Sequence, residues 1–210
     1  GDGPAAGPVG TLPGSPAAAR NLRPILDMLV PRLPDTGLVL ELASGLGEHV
    51  AALAERRPDL IFQPSDADPD RLAVIDARCT GLPNVRAARA LDACAPGWGG
   101  GVRAGLLVVV NLLHLISEAE MAVLLDEAAQ AVAPDGLLAI YGPFLRDGTT
   151  TSEGDAEFDA RLRAEDPALG YKEVEVVETV LGALGLSVER FEMPANNVML
   201  VARKGAVPGL

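Results

Sequence analysis

The sequence predicts an α/β protein whose mostly parallel sheet ends in an antiparallel hairpin. Short apolar segments alternate with helical segments along the chain, which is the pattern of a parallel sheet covered on both faces. Continuous apolar runs such as residues 106–110 are typical of strands buried on two faces. Near the end, two strand-like segments flank the residues Pro194 to Asn197, which predicts the closing hairpin.

The first half of the chain is predicted to contain three helices and three strands. Apolar residues at helical spacing over 22–30 predict the first helix, and Pro24 leaves its start ambiguous. Residues 37–43 are predicted to form a strand and 47–57 a helix. The segment "LIFQPSD" is the second predicted strand, and Pro69 lies in the first turn of the helix that follows. The third predicted strand is "NVRAARALD".

The second half continues the alternation. The fourth predicted strand is "GLLVVVNLL", and Ser117 and Glu120 have the spacing of a capping box at the start of the next helix. A turn at 134–136 introduces the fifth strand, "APDGLLAIYGPF". The polar stretch 145–172, with a short helix around 158–163, is predicted to cover the site as a lid. The helix "VEVVETVLGALGL" and two hairpin strands complete a sheet of seven strands.

Composition narrows the class of protein. With 49% hydrophobic residues among 210, we expect one domain at 15–204 between tails at 1–14 and 205–210. No apolar run reaches the roughly 18 residues of a membrane span, and the opening segment lacks the features of a secretory signal. Two cysteines, Cys79 and Cys94, are too few for a disulfide framework, so a reducing cytoplasmic setting is expected.

The charge argues against a nucleic-acid partner. Formal net charge is −12, only two residues are lysine, and no cluster of basic residues is present. Binding to DNA or RNA requires such clusters to neutralise phosphates. A small-molecule substrate is therefore expected, with no nucleic-acid or membrane partner, and the sequence gives no indication of oligomeric state.

The segment "LELASGLGEHV" carries two glycines, Gly45 and Gly47, after the first predicted strand. They are compatible with a tight turn or with a nucleotide-like cofactor lying across the turn. A dinucleotide site would favour a third glycine, which is missing here. A carboxylate, Glu41, instead precedes the turn and suits the ammonium and sulfonium groups of S-adenosylmethionine.

Acidic residues also follow the next predicted strands. Asp66, or Asp68 just beyond it, lies where a ribose diol is expected, since a carboxylate accepts both hydroxyl hydrogens. Asp92 follows the third strand and is a candidate for the exocyclic amine of adenine. Each has a structural alternative, because Glu41 could cap a turn, Asp66 and Asp68 could start a helix, and Asp92 could be a loop acid. Their positions at successive strand ends favour the cofactor interpretation.

Several motifs together resemble one family. "SPAAARNLRPIL", "FQPSDADPDRL", "NLLHL", "YGPF" and "MPANN" are similar to the family that includes methyltransferase-like protein 26, over about Ser15 to Lys204. The resemblance implies a Rossmann-like, seven-stranded class I methyltransferase sheet, with S-adenosylmethionine as cofactor and S-adenosylhomocysteine as product. In the loop pattern of such proteins Ala43 replaces the first glycine. The predicted cofactor-binding residues are Arg20, Asn21, Glu41, Ala43, Ser44, Gly45, Gly47, His49, Asp66, Asp68, Asp92, Ala93 and Asn111.

Two residues are candidates for catalysis. His114 follows the fourth strand, beside the expected methyl donor, and an imidazole can titrate near neutral pH. A base is needed only where the nucleophile must lose a proton. Tyr141 on the fifth strand is a candidate for orienting the nucleophile. The structural alternatives are a satisfied histidine near a helix start and a packed tyrosine.

Substrate contacts are predicted at the end of the fifth strand and at the hairpin turn. Phe144 and Arg146 are candidates for lining the pocket, with Arg146 able to bind a carboxylate by a fork contact. Asn196 and Asn197 are candidates for substrate contact, although left-handed turn conformations alone would explain them. Arg20 and Asn21 are expected to reach over the cofactor, unless they only form a solvated helix start.

The functional prediction is a cytoplasmic methyltransferase that acts on oxygen, nitrogen or sulfur of a small molecule. Two alternatives remain: an NAD-dependent oxidoreductase, and a non-catalytic protein that binds S-adenosylmethionine as the partner of another enzyme. No metal site is expected, because no cluster of histidine and acidic residues has ligand spacing.

Overall fold

The computed structural model of the protein describes residues 12–206. The predicted tail residues 1–11 and 207–210 lie outside this range. The chain divides into two compact units, unit 1 (Gly1–Asp92) and unit 2 (Ala93–Leu210). No helix between residues 12 and 206 is both long enough and apolar enough to cross a membrane.

Unit 1 alternates helices and short parallel strands. Ser15 caps the first helix by accepting from the amide of Ala18, and Pro24 lies inside that helix. β1 pairs with β2 in parallel, and β3 pairs with β4 in parallel. The elements are α1 (Pro16–Leu29), β1 (Leu38–Leu42), α2 (Glu48–Arg56), β2 (Ile61–Gln63), β3 (Ser65–Asp66), α3 (Pro69–Arg78) and β4 (Arg89–Ala90).

The prediction of seven strands is wrong, since the main sheet has six. The predicted second strand is split at Pro64, which has no N–H to donate to a ladder. The predicted third strand pairs with it only in pieces, through a bridge between Phe62 and Val85 and through the two-residue ladder of β3 and β4. Those last two strands form a separate small sheet.

Unit 2 contains the hairpin that the sequence predicts. β5 pairs with β6 in parallel, and β8 lies antiparallel between β6 and β7. The predicted α/β class with a mostly parallel sheet and a C-terminal antiparallel pair is therefore confirmed. The elements are β5 (Ala104–Val110), α4 (Glu118–Ala131), β6 (Val132–Pro143), α5 (Glu153–Glu165), α6 (Val174–Ala183), β7 (Leu186–Met193) and β8 (Asn197–Lys204).

The start of α4 and the irregular first part of β6 both have local causes. The predicted capping box is confirmed, because the Ser117 hydroxyl accepts from the Glu120 amide and the Glu120 carboxylate accepts from the Ser117 amide. The predicted turn at 134–136 lies within β6, where Asp135 has a φ of 64° and the register against β5 shifts. β6 thus begins earlier than the sequence predicts.

A buried carboxylate fastens the loop before β5 to α4. Glu127 accepts from the amides of Gly97 at 2.5 Å and Gly99 at 2.8 Å. A Cβ at Gly99 would lie 2.1 Å from the Glu127 carbonyl oxygen, so only glycine fits this close approach. Both oxygens of this carboxylate are therefore satisfied inside unit 2.

Candidate functional site

The glycine loop after β1 takes a left-handed course. Ala43, Gly45 and Gly47 have φ values of 47°, 63° and 81°. A Cβ at Gly47 would lie 3.3 Å from the Ile75 Cα, so packing against α3 accounts for this glycine. A Cβ at Gly45 would meet no described atom within 4 Å, which leaves the space above this glycine open to a ligand. The predicted cofactor contacts of both glycines stay predictions.

Ala43 is strained by its left-handed conformation, and Ala43→Gly is expected to stabilise the ligand-free protein. Relief of the left-handed penalty, about 1–2 kcal/mol for a non-glycine residue, exceeds the entropy that glycine loses on folding, about 0.5–1 kcal/mol. Urea denaturation should show a net gain of up to about 1 kcal/mol. Ala51→Gly, inside α2, is the control and should lose about 1 kcal/mol. A loss in both variants would contradict strain at Ala43.

Asp66 holds the glycine loop. Its Oδ2 accepts from the Gly45 amide at 2.9 Å and its Oδ1 accepts from the Asp68 amide at 2.9 Å. Asp68 is exposed and caps α3 by accepting from the Asp70 amide, so it does start the helix, and its predicted cofactor role stays a prediction. The buried Asp66 carboxylate therefore sits next to the open space at Gly45.

Glu41 is buried beneath the loop with half of its carboxylate unsatisfied. Its side chain is 3% exposed, and no described residue donates a hydrogen bond to Oε1. Burial raises the pKa of Glu41 to about 8; a hydrogen bond from Ser44 opposes the shift, and the charges of Asp66 and Glu48 add to it. A buried acceptor without a donor is costly. A cation or donor reaching Oε1 would remove that cost.

The predicted residues of α1 and α2 meet as a pair. His49 Nε2 lies 2.9 Å from Asn21 Oδ1, and burial lowers the pKa of His49 to about 4. The segment before α1 is fastened over the glycine loop, because the Ser15 amide donates to Glu48 and Arg78 donates to the carbonyls of Leu46 and Pro13. Arg20 is exposed on α1, and its predicted cofactor role stays a prediction.

The remaining predicted cofactor residues follow β4 and β5 in the sequence. Asp92 is exposed, and the Ala93 carbonyl accepts from Trp98 Nε1 at 3.1 Å. Asn111 has a φ of 55° and donates its amide to the Tyr141 carbonyl at 2.8 Å. Their contacts with a cofactor stay predictions.

His114 faces a glycine on the neighbouring strand β6. A Cβ at Gly142 would lie 3.6 Å from Asn111 Oδ1 and 3.9 Å from His114 Nδ1. The missing side chain at Gly142 therefore leaves Asn111 and His114 next to a common gap. Two polar groups around a small gap can hold or deprotonate a nucleophile.

The His114 ring is held among aromatic side chains. Its centroid lies 5.7 Å from Phe158 and 6.0 Å from Tyr171, both edge-on. Burial lowers the pKa of His114 to about 4, and the nearby Lys172 charge lowers it further. The expectation of titration near neutral pH is therefore wrong, because the ring is neutral throughout that range.

The sequence prediction did not include the network that supports this ring. Three α5 residues spaced four apart hold Tyr171: Asp155 accepts from its hydroxyl at 2.6 Å, Asp159 from its amide at 2.7 Å, and Arg163 donates to its carbonyl at 3.0 Å. The Gly170 amide donates to the His114 carbonyl at 3.0 Å. In the sequence, the spacing of four residues along α5 was the only sign of this network, and it does not show that Tyr171 is the partner.

The predicted substrate residues lie near β6 and the hairpin. Phe144 is buried, and Tyr141 shares a side-chain hydrogen bond with Asn197. Arg146 pairs with Glu192 at 2.7 Å, and its Nη1 is buried with no hydrogen-bond partner among residues 12–206. Asn196 adopts the expected left-handed conformation, with a φ of 61°, whereas Asn197 is extended.

No group of three or more histidine, cysteine, aspartate or glutamate residues in the described part of the chain is arranged to hold a metal ion.

A family model described as "Protein of unknown function (DUF938)" matches residues 13–204, nearly the whole chain. The chain belongs to the DUF938 family. Membership in this family does not assign an activity, so the function of this DUF938 protein is inferred from the residues described above.

Several solved structures with a fold similar to that of this DUF938 protein are described as methyltransferases. An O-methyltransferase family protein from Burkholderia thailandensis has a TM-score of 0.78 at 20% identity, over 90% of this chain and 58% of that chain. The S-adenosylmethionine-dependent methyltransferase SibL has a TM-score of 0.72 at 20% identity, over 90% and 56%. The CurJ carbon methyltransferase has a TM-score of 0.68 at 18% identity, over 90% and 56%. The DUF938 protein spans little more than half of each, and the likeness shows a shared fold.

Proposed function

We propose that this protein is an S-adenosylmethionine-dependent methyltransferase that modifies oxygen, nitrogen or sulfur of a small molecule. The fold shared with O- and C-methyltransferases supports the reaction class. The motifs that resemble the family of methyltransferase-like protein 26 support the same assignment within the DUF938 family. Fold alone does not define an activity, so the proposal rests on the residues of the site.

The observation that carries the proposal is the unsatisfied Oε1 of Glu41. A buried carboxylate oxygen with no donor fits the ammonium group of the cofactor's methionine part, which would supply a charge-assisted hydrogen bond. The open space at Gly45 lies next to it in sequence, and the Asp66 carboxylate is anchored to the Gly45 amide. These residues are where the ammonium and the ribose of S-adenosylmethionine would be held.

S-adenosylmethionine supplies a methyl group that its sulfonium charge already activates. The chain then has to hold the acceptor in line and exclude water. His114 is neutral at physiological pH and can accept a proton at a ring nitrogen when the acceptor must lose one. Phe158 and Tyr171 fix the orientation of the ring and shield it from water.

Arg146 supports an acceptor with a polar substituent. Two of its nitrogens contact Glu192, while Nη1 remains buried without a partner among the described residues. An acceptor oxygen at Nη1 would satisfy this donor. The assignment of Phe144, Asn196 and Asn197 to the acceptor pocket remains part of the proposal.

Calorimetric titration tests the cofactor. S-adenosylmethionine and S-adenosylhomocysteine are expected to bind, whereas NAD and NADP are not. A ligand at one hundred times its Kd should raise the free energy of unfolding by about 2.7 kcal/mol, because it binds only the folded state. Binding of NAD alone would contradict the proposal and favour an oxidoreductase.

Screening a metabolite mixture with methyl-labelled S-adenosylmethionine tests turnover. Transfer of label to a small molecule is the expected result and identifies the acceptor. Tight cofactor binding with no labelled product, in metabolite mixtures and in lysate, would favour the non-catalytic partner protein instead.

A further inference from the structure

A buried ammonium group in unit 2 has no acidic partner among the described residues. Lys172 is 3% exposed, and its Nζ donates to the carbonyls of Ile116 at 2.6 Å and Gly170 at 2.8 Å. Within residues 12–206, no carboxylate oxygen lies within 4 Å of it. In a chain of net charge −12, a buried cation left with carbonyl partners only is an unusual arrangement.

The surroundings of Lys172 are consistent with an unmatched charge. Burial lowers the pKa of Lys172, and the charge of Arg163 adds to this effect, while the charges of Glu118, Asp159 and Glu120 oppose it. A depressed lysine pKa means that the folded chain stabilises the ammonium less well than water does. An anion close to Nζ would restore that stabilisation.

A cavity of about 410 Å³ lies beside Lys172. Its walls come from the start of α4, the end of α5, the turn 167–169 and residues 171–172. Lys172 contributes positive charge, as does Arg163, which also pairs with Asp159 at 3.1 Å. Glu118 contributes an exposed carboxylate, and residues 167–169 contribute apolar surface. The volume is within the range of small-molecule sites.

The start of α4 adds hydrogen-bond donors to the same cavity. The Ser117 hydroxyl caps the amide of Glu120, and the two preceding amides belong to the first turn, where no partner exists within the helix. Both of those residues, Glu118 and Ala119, line the cavity. First-turn amides, which have no partner within the helix, and the helix dipole favour an anion there.

We propose that this cavity, the Lys172 cavity, binds a small organic carboxylate whose anionic end faces Lys172 and Arg163 and whose apolar body lies on residues 167–169. The site goes beyond the proposed methyl transfer and uses none of its cofactor residues. It adjoins His114, since Gly170 donates to the His114 carbonyl and the Tyr171 ring packs on the His114 ring. A carboxylate-bearing acceptor and a separate organic acid would both satisfy this chemistry.

Calorimetric titration with benzoate, without S-adenosylmethionine, tests the site, and benzamide serves as the neutral control of equal shape. Benzoate is expected to bind in the millimolar range or better and benzamide about ten-fold or more weakly, because benzamide lacks the charge-assisted hydrogen bonds. Equal binding of the two, or no binding of benzoate, would overturn the proposal. Cofactor binding is measured separately, so failure here leaves the proposed methyl transfer untouched.

Two substitutions in the first turn of α4 change the charge of the cavity without disturbing the fold, because acidic and amide side chains both suit a helix start. Ala119→Asp should weaken benzoate binding about ten-fold or more, since like charges are brought together. Glu118→Gln should strengthen it roughly two- to five-fold by removing an exposed negative charge. Unchanged affinity in both variants would overturn the site even where benzoate binds.

Lys172→Met removes the ammonium and keeps a side chain of similar length. Loss of benzoate binding in a variant that still unfolds in one cooperative thermal transition is the expected result, and Lys204→Met, at a partly exposed lysine on β8, is the matched control. Retained binding in Lys172→Met would overturn the role of this residue. Labelled S-adenosylmethionine then separates the two sources: methylated benzoate identifies the cavity as an acceptor site, and bound but unmodified benzoate identifies a separate acid site.

Discussion

Replacing His114 by alanine is expected to leave S-adenosylmethionine affinity nearly unchanged and to lower turnover by about 10²–10⁴-fold. His114 is positioned to act on an acceptor, because its ring adjoins the gap at Gly142 and is held edge-on by Phe158 and Tyr171. Turnover is measured with the acceptor found by labelling. Leu115→Ala, at the exposed neighbouring residue, is the control and should retain most of the activity.

The pH profile separates a base from a packed ring. With a pKa of about 4 for His114, parent turnover should stay level from neutral pH down to about pH 5 and fall only below it. A fall centred near pH 6.5 would show that the ring titrates as an exposed histidine does. Equal rates for parent and variant would remove His114 from the mechanism.

Replacing Glu41 by glutamine is expected to weaken S-adenosylmethionine binding by about 10–150-fold, the range for a hydrogen bond to a charged group. The amide keeps the shape of the side chain but cannot release a proton to become the anion that pairs with the ammonium group. Calorimetry measures the change in Kd. Glu127→Gln is the matched control, because that buried carboxylate is already satisfied by Gly97 and Gly99 and should not affect cofactor affinity.

The same variant should also change how stability depends on pH. Glu41 has a pKa of about 8 when folded and 4.5 as an isolated side chain, so the folded state holds a proton that the unfolded state has lost. This contribution to stability is complete below pH 4.5 and is lost as pH rises through about 8. It amounts to several kcal/mol, since one pKa unit corresponds to about 1.4 kcal/mol.

Urea denaturation between about pH 6.5 and 9 checks this, because the buried histidines, with pKa values of about 4, are neutral in both states at most of these values. The free energy of unfolding of the parent should decline with rising pH, and that of Glu41→Gln should decline less. Parallel curves would show that Glu41 is ionised in the folded protein at neutral pH.

Elements with a local cause were predictable from sequence. β1 and α2 fall within two residues of the predicted ranges, and the capping box at Ser117 forms both of its bonds. The hairpin strands β7 and β8 meet at the predicted turn. Each of these depends on a spacing, a capping residue or a turn sequence that can be read from neighbouring residues.

The third predicted strand failed because its pairing depends on a distant residue. "NVRAARALD" has the composition of a strand, but its partner strand is interrupted at Pro64, which removes a donor from the ladder. Only Val85, Arg89 and Ala90 remain paired. Propensity in one segment says nothing about a break in its partner.

In the candidate site, too, residues with a local sequence pattern were predicted, and contacts between distant residues were not. Glu41, Gly45 and Asp66 were predicted as cofactor residues from their positions at strand ends, and in the structure the Gly45 amide donates a hydrogen bond to Asp66. The tie between Asn21 and His49, and the packing of Phe158 and Tyr171 on His114, join residues 28 or more positions apart. No local pattern marks such contacts, so the lowered pKa of His114 could not be predicted.

The three hydrogen bonds between α5 and Tyr171 affect how fast this region can open. Asp155, Asp159 and Arg163 span most of the helix and hold the same residue. The helix therefore cannot separate from Tyr171 by unfolding one turn, because breaking one of the three contacts leaves the other two in place. The amide hydrogens of α5 should therefore exchange with solvent as one cooperative group. Any movement of α5 away from Tyr171 should occur in a single step with a single rate constant.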